Sequence, residues 1–510
     1  MNSPGFKIIA GIAALLVFPC ALHSAEFSPV FTDDAVLQRD RPVEIWGTGQ
    51  DGETVTVEIL DQSVTTTVKD GKWRVTLPAL TATASTTLRL AGTNPRELSN
   101  IAVGEVWLGL GQSNMEWRLN QCGEFSADAL RDPNNPGIRQ LKIPLRPFVG
   151  DPMPAFAWKP FDAKSAGYFS AVTYFFASKL QQELGVVVGI INCSFGGTPI
   201  EAWMSRDALA AAGFQKELDE HDRKLAVWTD QAAYDVAWND YQSARKAWDT
   251  RKAADPTITD PQPVEPYGVR TKARPAGLLE SMLSLITPYT ARGVLWYQGE
   301  NNASRPDEYA RLLPYFVREL REAWGQSDLP FFVAQVSTPT ARNPDDGDVF
   351  AKLREVQTAY ALSDPHSGFV VTLDRGKQGD VHPPDKQPVG ERFARLALAR
   401  NYGGKDLAAQ SPSAASATRS GASVEISFND LPGRLEMREP VLSLFRFKDA
   451  AGLWREAEAV SVSDDGKRVS LLPPSGHVPI AVSYAFQNFC PLILHSDEGL
   501  PVSPWLKKIE

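Results

Sequence analysis

The chain has few of the residues that build disulfide frameworks and metal centres, with four cysteines and six histidines among 510 residues. Three cysteines, Cys122, Cys193 and Cys490, lie outside the N-terminal segment, and an odd number of widely spaced cysteines argues against a disulfide framework. Pairing of two of them stays open, although Cys193 lies in an apolar run and is expected to be a buried thiol. The cysteines and histidines do not cluster at the spacing of zinc ligands, so we expect no metal ion.

An excess of positive charge and long apolar runs are also absent. The formal net charge of −9 argues against nucleic acid or an anionic membrane as the main partner. The N-terminus has the form of a signal peptide over residues 1–25, with Lys7, an apolar core over residues 8–17 and a small-residue end. That core is shorter than the roughly 20 residues of a membrane span. We therefore expect export to the periplasm or the medium and no membrane anchor.

The pattern of hydrophobic residues divides the rest of the chain into modules. Short alternating runs predict an all-β module over residues 26–100, formed as a small sandwich. Strand-like runs that alternate with helical patterns predict an α/β domain with a parallel sheet over residues 101–405. A charged stretch without strand signals predicts a helical insertion at about residues 206–266. Short strands return over residues 410–510 and predict a second β module.

A serine lies where one apolar strand-like run ends, in the segment Gly-Leu-Gly-Gln-Ser-Asn-Met-Glu-Trp at residues 109–117. This spacing places Ser113 at a strand-to-helix turn, where the next backbone N–H groups lack acceptors. That geometry suits a nucleophile with an exposed Oγ and a nearby donor for an oxyanion. The same residues also suit an ordinary helix N-cap, so the turn alone does not decide.

Three later segments have residues that complement this serine. Apolar runs end at the double glycine 196–197 and at Gln298, and a Pro-rich loop contains His382. Active sites of open α/β sheets lie beyond the carboxyl ends of the strands. We therefore expect Ser113, Gly197 and Gln298 to converge, with His382 reaching them from its loop as a general base.

These four segments resemble the sequence blocks of SGNH (GDSL-type) hydrolases, and specifically of the sialate O-acetylesterase-like carbohydrate esterases. Further stretches resemble that family in the same order, at residues 36–39, 46–47, 169–176, 196–203 and 353–357. The resemblance runs from about residue 27 to about residue 400. It implies an SGNH-type parallel sheet flanked by helices, together with the N-terminal sandwich, the helical insertion and the C-terminal β module.

The resemblance also implies a chemistry. The family removes O-acetyl groups from carbohydrates by two-step acyl transfer, so an acetylated sugar or glycan is the expected substrate and no cofactor is needed. His382 would accept the proton of Ser113, and the N–H groups of Ser113 and Gly197 would bind the oxyanion. Gln298 is the first candidate for an additional side-chain donor, and Asn302 is the second.

Two departures from the family pattern affect these expectations. SGNH enzymes carry an aspartate three residues before the histidine, but Gly379 occupies that position and Asp380 lies two residues before His382. We predict that Asp380 orients His382 through Nδ1, with Asp374 or a backbone carbonyl as alternatives. The family's Asn-Gly before Met282 is replaced by residues 280–281, Glu-Ser, so we expect a different loop there.

Other functions stay open in the sequence. The ester could belong to acetylated xylan, as in a polysaccharide deacetylase, instead of sialate. Glu201 and Glu300 could form the carboxylate pair of a glycoside hydrolase, but that hypothesis leaves the serine and histidine without a role. A non-catalytic carbohydrate-binding protein is the third alternative. The oligomeric state is not indicated.

Aromatic residues and the remaining histidines have more ordinary interpretations. Trp117, Trp203 and Tyr297 flank the motifs and either stack on a sugar ring or belong to the core. We expect His221 to lie on a solvated face of the insertion. The other histidines outside the N-terminal segment are expected to be structural or exposed, and these are His366, His477 and His495.

Overall fold

A computed structural model describes residues 24–337, 348–404, 409–429, 431, 433–437, 442–490 and 494–510. All but the last two residues of the predicted signal peptide lie outside the described residues. Within these ranges no helix is both long and apolar enough to span a bilayer. The predicted mixed α/β class is confirmed, because helices and several β-sheets alternate along the chain.

The N-terminal part consists of β-strands. They are β1 (Glu26–Phe27), β2 (Val36–Gln38), β3 (Val43–Thr48), β4 (Thr54–Ile59), β5 (Gln62–Thr67), β6 (Lys72–Leu77), β7 (Thr83–Ala91) and β8 (Arg96–Gly111). Strict alternation of exposed and buried side chains along β6 matches its polar and apolar residues. One sheet has the order β1-β3-β6, and β4 pairs with β5 and β7 in a second. Buried residues of both sheets, such as Ile45 and Val57, belong to one core.

The long strand β8 joins this part to the central sheet. The further strands of that sheet are β9 (Asn135–Lys142), β10 (Trp158–Phe161), β11 (Val188–Ser194), β12 (Gly293–Tyr297), β13 (Phe331–Ala334) and β14 (Ser367–Val370). Their order is β10-β9-β11-β8-β12-β13-β14, and every pair from β9 to β14 is parallel. Gly111 pairs with both Ser194 and Tyr297, so the ends of three neighbouring strands lie side by side.

Helices cover both faces of this sheet. They are α1 (Ser113–Glu116), α2 (Ala127–Arg131), α3 (Ala171–Leu184), α4 (Arg206–Ala211), α5 (Gln215–Leu225), α6 (Gln231–Ala254), α7 (Ser284–Ile286), α8 (Pro306–Trp324), α9 (Val349–Ser363) and α10 (Gln387–Asn401). Every residue of β11 and β12 is buried, as expected for a sheet covered on both faces. Leu295 packs with residues of α3 and α10, whereas its neighbour Trp296 packs with residues of α8.

Two segments and the three cysteines can be compared with the expectations from the sequence. Helices α4, α5 and α6 lie in the stretch predicted as a helical insertion, and Tyr234 is the buried residue of α6. A π-helical turn, Leu279–Leu283, occupies the position where the family's Asn-Gly is replaced. Among the described residues no disulfide is formed, and Cys122, Cys193 and Cys490 are buried thiols.

The C-terminal part is again made of strands. They are β15 (Ser413–Ser420), β16 (Ser423–Asn429), β17 (Leu435–Glu436), β18 (Phe445–Asp449), β19 (Trp454–Glu456), β20 (Ala459–Val462), β21 (Val469–Leu472), β22 (Pro479–Tyr484), β23 (His495–Ser496) and β24 (Trp505–Lys508). Two four-stranded sheets have the orders β15-β16-β21-β20 and β19-β18-β22-β24. Their core includes Phe369 and Val371 from the end of β14, so this part packs directly against the central sheet.

Candidate active site

Ser113 lies at the junction of β8 and α1. Gly111, the last residue of β8, has a φ of +133°, and a Cβ there would lie 2.2 Å from the carbonyl oxygen of Tyr297. Only glycine therefore allows the strand to end against its neighbour at this point. The N–H of Gln112 donates to the same carbonyl oxygen at 3.0 Å, and α1 begins at the next residue. The serine is thus held at the end of the central strand by close backbone packing.

His382 reaches this serine from its loop. Its Nε2 lies 2.8 Å from Ser113 Oγ, a hydrogen-bond distance. The indole of Trp117 stacks on the imidazole, with ring centroids 4.6 Å apart and an interplanar angle of 18°. Asn114, the residue after the serine, donates from Nδ2 to the carbonyl oxygen of Val381 at 3.0 Å. Because Asn114 and Trp117 both follow Ser113 within four residues, the same turn of helix that presents the serine also positions the histidine.

A buried polar network supports that turn. Asn114 Nδ2 donates to Glu300 at 2.5 Å, and Lys386 Nζ donates to Asn114 Oδ1 at 2.5 Å. Burial raises the pKa of Glu300 and lowers the pKa of Lys386 to about 8, while the charge of Glu300 partly opposes the change at Lys386. Asn114 therefore connects Glu300 and Lys386 to the serine turn. The sequence pattern contained no signal for the contact between Lys386 and Asn114.

The pKa of His382 is lowered from its ordinary value. Burial is the main cause, the charge of Lys386 acts in the same direction, and the charge of Asp380 opposes both. A neutral imidazole is the form that accepts a proton, so this environment keeps His382 in the form required of a general base near neutral pH.

Asp380 contacts His382 through the backbone. Its Oδ1 accepts a hydrogen bond from the N–H of His382 at 2.8 Å. A turn precedes it, with Gly379 at a φ of +80° and the N–H of Asp380 donating to the carbonyl oxygen of Lys377 at 3.0 Å. Glycine suits this left-handed conformation at residue 379. Asp374, the alternative acid, is instead paired with Arg392 at 2.6 Å.

Gly197 lies in the turn that follows β11. A Cβ on its neighbour Gly196 would lie 3.2 Å from Ser113 Cβ, so this turn packs directly against the serine. Gly197 has a φ of +71°, a left-handed conformation that favours glycine. Within the described part of the chain, neither its N–H nor that of Ser113 donates to a protein acceptor. Both N–H groups are therefore available to a ligand oxygen.

Three side chains hold the Gly196–Gly197 turn in place. Glu116 accepts a hydrogen bond from the N–H of Gly196 at 2.8 Å, and Lys272 Nζ donates to the carbonyl oxygen of Gly196 at 2.6 Å. Asn301 Nδ2 donates to the carbonyl oxygen of Gly197 at 3.2 Å. Lys272 follows the insertion in sequence and has no local motif, which is why the sequence did not reveal it.

Gln298 and Asn302 lie in a buried network between the ends of β11 and β12. Gln298 Nε2 donates to the carbonyl oxygen of Thr198 at 3.1 Å and to Asn302 Oδ1 at 2.7 Å. Asn302 Nδ2 donates to Glu201 at 2.8 Å. Both amide side chains are fully buried. To donate to an oxyanion, Gln298 would have to give up one of these bonds. In the structure both amide side chains instead connect the turns that follow β11 and β12.

The remaining sequence expectations have mixed outcomes. Trp203 and Tyr297 are core residues, whereas Trp117 is partly exposed and stacks on His382. The expectation that His221 lies on a solvated face is wrong. His221 is buried, and its Nδ1 lies 2.7 Å from the hydroxyl of Tyr267, a contact that joins residues 46 positions apart.

Comparisons with known proteins agree with this fold. Residues 276–399 match the family model described as "Carbohydrate esterase, sialic acid-specific acetylesterase". A carbohydrate acetylesterase from Xanthomonas citri superposes with a TM-score of 0.77 at 28% sequence identity, covering 94% of this chain and 99% of that one. The fold thus matches the fold of that carbohydrate acetylesterase.

Two curated relatives define the similarity more closely. The sialate O-acetylesterase of Rattus norvegicus is 29% identical over 446 residues, which are 79% of each chain. The sialate O-acetylesterase of Homo sapiens is 26% identical over 455 residues, covering 79% of this chain and 78% of that protein. The resemblance to sialate O-acetylesterase-like carbohydrate esterases, predicted from the motifs, is confirmed. In the described residues no group of three or more His, Cys, Asp and Glu side chains could hold a metal ion.

Proposed function

We propose that this protein is a serine esterase that removes O-acetyl groups from carbohydrates, with O-acetylated sialate as the preferred substrate. The observation that carries the proposal is the 2.8 Å contact between Ser113 Oγ and His382 Nε2 beside two unused backbone N–H groups. The names of the relatives favour sialate over acetylated xylan.

The reaction follows from this geometry in two steps. His382 Nε2 accepts the proton of Ser113 while Oγ attacks the acetyl carbonyl carbon, and the N–H groups of Ser113 and Gly197 bind the oxyanion. The intermediate collapses, the C–O bond to the sugar breaks, and His382 returns its proton to the leaving sugar oxygen. Water then attacks the acetyl-serine with His382 as base, which releases acetate and restores the serine.

The glycoside hydrolase alternative is disfavoured by the partners of its two carboxylates. Glu201 pairs with Arg305 at 2.8 Å and accepts a hydrogen bond from Asn302, and Glu300 is bonded to Asn114. Both carboxylates are buried, and each contacts a side chain that supports the turns around the serine. The serine and histidine, by contrast, are in contact and partly exposed.

Replacement of the serine tests the proposal. We expect Ser113→Ala to keep the fold and to lower kcat for an aryl acetate by about 10³-fold or more, because the members of such a site act as a unit. Ser243→Ala, on the exposed face of α6, is the matched control and should retain full activity. A fluorophosphonate should label the wild type and the control but not Ser113→Ala, and chelation should leave activity unchanged. Aryl acetate turnover by pure Ser113→Ala protein would contradict the assignment.

Export is a second part of the proposal. It rests on the charged, apolar and small-residue regions at residues 1–25. N-terminal sequencing of the protein recovered from the producing cells should find a mature chain that begins near residue 26. A chain that retains residue 1 would contradict export by this route.

A further inference from the structure

A cavity of about 570 Å³ lies beside α1, within the size range of ligand pockets. Its inner wall includes Glu116, the last residue of α1. Lys142 and Asn192 line it near the carboxyl ends of β9 and β11, and Arg118 and Tyr168 line it from the loops. The cavity is therefore formed at the edge of the sheet where the strands end, the same edge that presents the serine.

The cavity and the serine are neighbours. Ser113 and Glu116 are three residues apart on one helical turn, so they lie on the same face of that turn. A Cβ on Gly196 would lie 3.2 Å from Ser113 Cβ and 3.3 Å from Glu116 Oε2. The nucleophile and the cavity wall thus approach the same glycine, so the cavity lies next to the serine.

Two cations of the cavity lining, Arg118 and Lys142, differ in their partners. Arg118 has no ion-pair partner among the residues that the structure describes, and its guanidinium carbon lies 5.8 Å from the centroid of the Tyr168 ring. Lys142 Nζ donates to the carbonyl oxygen and Oγ of Ser194 at 2.9 and 3.1 Å and to Asn192 Oδ1 at 3.4 Å, so it contributes its charge from a fixed position. Burial lowers the pKa of Lys142 to about 8, the charge of Glu116 opposes that change, and the charge of Arg118 adds to it. Arg118 therefore lines the cavity without an ion-pair partner among the described residues, and Lys142 adds a buried positive charge near it.

The carboxylates of the cavity wall have other partners. Glu116 accepts the N–H of Gly196, Asp34 accepts from Asn100 at 2.7 Å, and Asp162 accepts the N–H groups of Lys164 and Ser165 at 2.8 and 2.9 Å. Lys159 and Lys164 add two further positive charges at the lining. The lining as a whole therefore carries more positive than negative charge.

We propose that this cavity binds the sugar that carries the acetyl ester, and that Arg118, supported by Lys142, recognises a carboxylate on that sugar. The substrate class is then an O-acetylated acidic monosaccharide unit, a class that includes sialate, and the inference rests on the proposed esterase function. A guanidinium can bind a carboxylate with two parallel hydrogen bonds. The Tyr168 side chain is 62% exposed and provides an aromatic face for the sugar ring at the same place.

A pair of substrates that differ only in charge tests the inference. One is the methyl glycoside of an O-acetylated sialic acid, the second is its carboxylate methyl ester, and an aryl acetate reports on the catalytic centre alone. The wild type should hydrolyse the free acid with a kcat/KM roughly 10- to 100-fold higher than the methyl ester, as expected for one charge-assisted hydrogen-bonded pair.

Substitutions then test which side chains recognise the carboxylate and the ring of the sugar. Arg118→Gln should raise KM for the free acid by roughly tenfold or more and leave the methyl ester and the aryl acetate within about twofold. Arg118→Lys should retain part of the preference. Tyr168→Ala should weaken both sialosides but not the aryl acetate. Arg131→Gln, an exposed arginine on α2 outside the cavity lining, is the matched control and should change none of the three.

The outcomes separate this inference from the proposed function. Equal kcat/KM for the acid and its methyl ester, with normal aryl acetate turnover, would overturn the inference and leave the esterase in place. An equal loss on all three substrates in Arg118→Gln would also overturn it, because it would make Arg118 a support of the neighbouring Trp117. A wild type that neither hydrolyses the aryl acetate nor reacts with a fluorophosphonate would overturn both.

Discussion

At the scale of single residues, the protonation of His382 links the structure to a measurable pH dependence. Burial and the charge of Lys386 lower its pKa below the ordinary value near 6.5, and the charge of Asp380 limits that change. A general base acts only when it is neutral, so activity rises with pH through this pKa and reaches its plateau above it. We therefore expect the acidic limb of kcat/KM to lie below the ordinary histidine value.

Asp380→Asn tests both the charge and the predicted orienting role. Loss of the negative charge lowers the pKa of His382 further, so the acidic limb should move to lower pH. Asparagine retains an Oδ1 that can accept the N–H of His382, so the loop should keep its shape. If Asp380 also orients the imidazole, kcat on the plateau should fall by several orders of magnitude, up to about 10⁴-fold. An unchanged acidic limb in the pH profile of aryl acetate hydrolysis would contradict the role of this charge. Asp128→Asn, on exposed α2, is the control and should leave the acidic limb in place.

At the scale of secondary-structure elements, the sequence predicted most of what positions the site. Apolar runs followed by polar residues identified the strand ends near Ser113, Gly197 and Gln298, and the parallel register places these ends together. The periodicity could not predict which side chains point into the site. Gln298 turns into a buried network because Thr198 and Asn302 accept hydrogen bonds from its Nε2. Such contacts depend on loops brought together from distant parts of the chain.

The contacts that the sequence did not reveal share this long-range origin. Lys272 bonds to Gly196, 76 residues away, and Lys386 bonds to Asn114, 272 residues away. Neither lysine belongs to a local motif, so composition and spacing contain no signal for them. The motifs thus predicted the candidate reacting groups, whereas the side chains that hold them required the structure.

The end of β8 provides a prediction at this scale. Gly111→Ala should place a Cβ against the backbone of Tyr297, which must separate β8 from β12 and displace Ser113. Gly123→Ala is the matched control, because Gly123 also has a positive φ, +59°, but a Cβ there meets nothing within 4 Å. The control should lose about 1–3 kcal/mol of stability from backbone strain and keep its kcat. Gly111→Ala should lose more stability in thermal unfolding and most of its activity. Equal effects of the two substitutions would contradict this account of the strand end.

At the scale of the whole molecule, a buried ion pair lies where the central sheet meets the C-terminal strands. Asp374, in the turn after β14, pairs with Arg392 of α10, and both side chains are almost fully buried. His495 of β23 lies 3.7 Å from the same carboxylate. Burial alone would raise the pKa of Asp374, but hydrogen bonds from Arg392 and His495 and the nearby positive charges hold it well below its usual range. The carboxylate of Asp374 therefore connects the turn after β14 with α10 and β23.

This pair predicts how the stability of the protein responds to acid. A carboxyl whose pKa is depressed in the folded state stabilises the fold fully above its unfolded pKa, near 3.9, and that contribution is lost as pH falls toward the folded pKa. Asp374→Asn leaves Arg392 buried without its counter-charge, so the free energy of unfolding at neutral pH should fall by roughly 3–5 kcal/mol. Below about pH 4 the difference from the wild type should shrink, because the wild type loses the same contribution there. Urea unfolding between about pH 3 and pH 7 measures both effects.

Asp128→Asn, which removes an exposed ion pair with Arg131, should cost about 0–1 kcal/mol and serves as the control. A difference between Asp374→Asn and the wild type that stays constant over this pH range would contradict the depressed pKa.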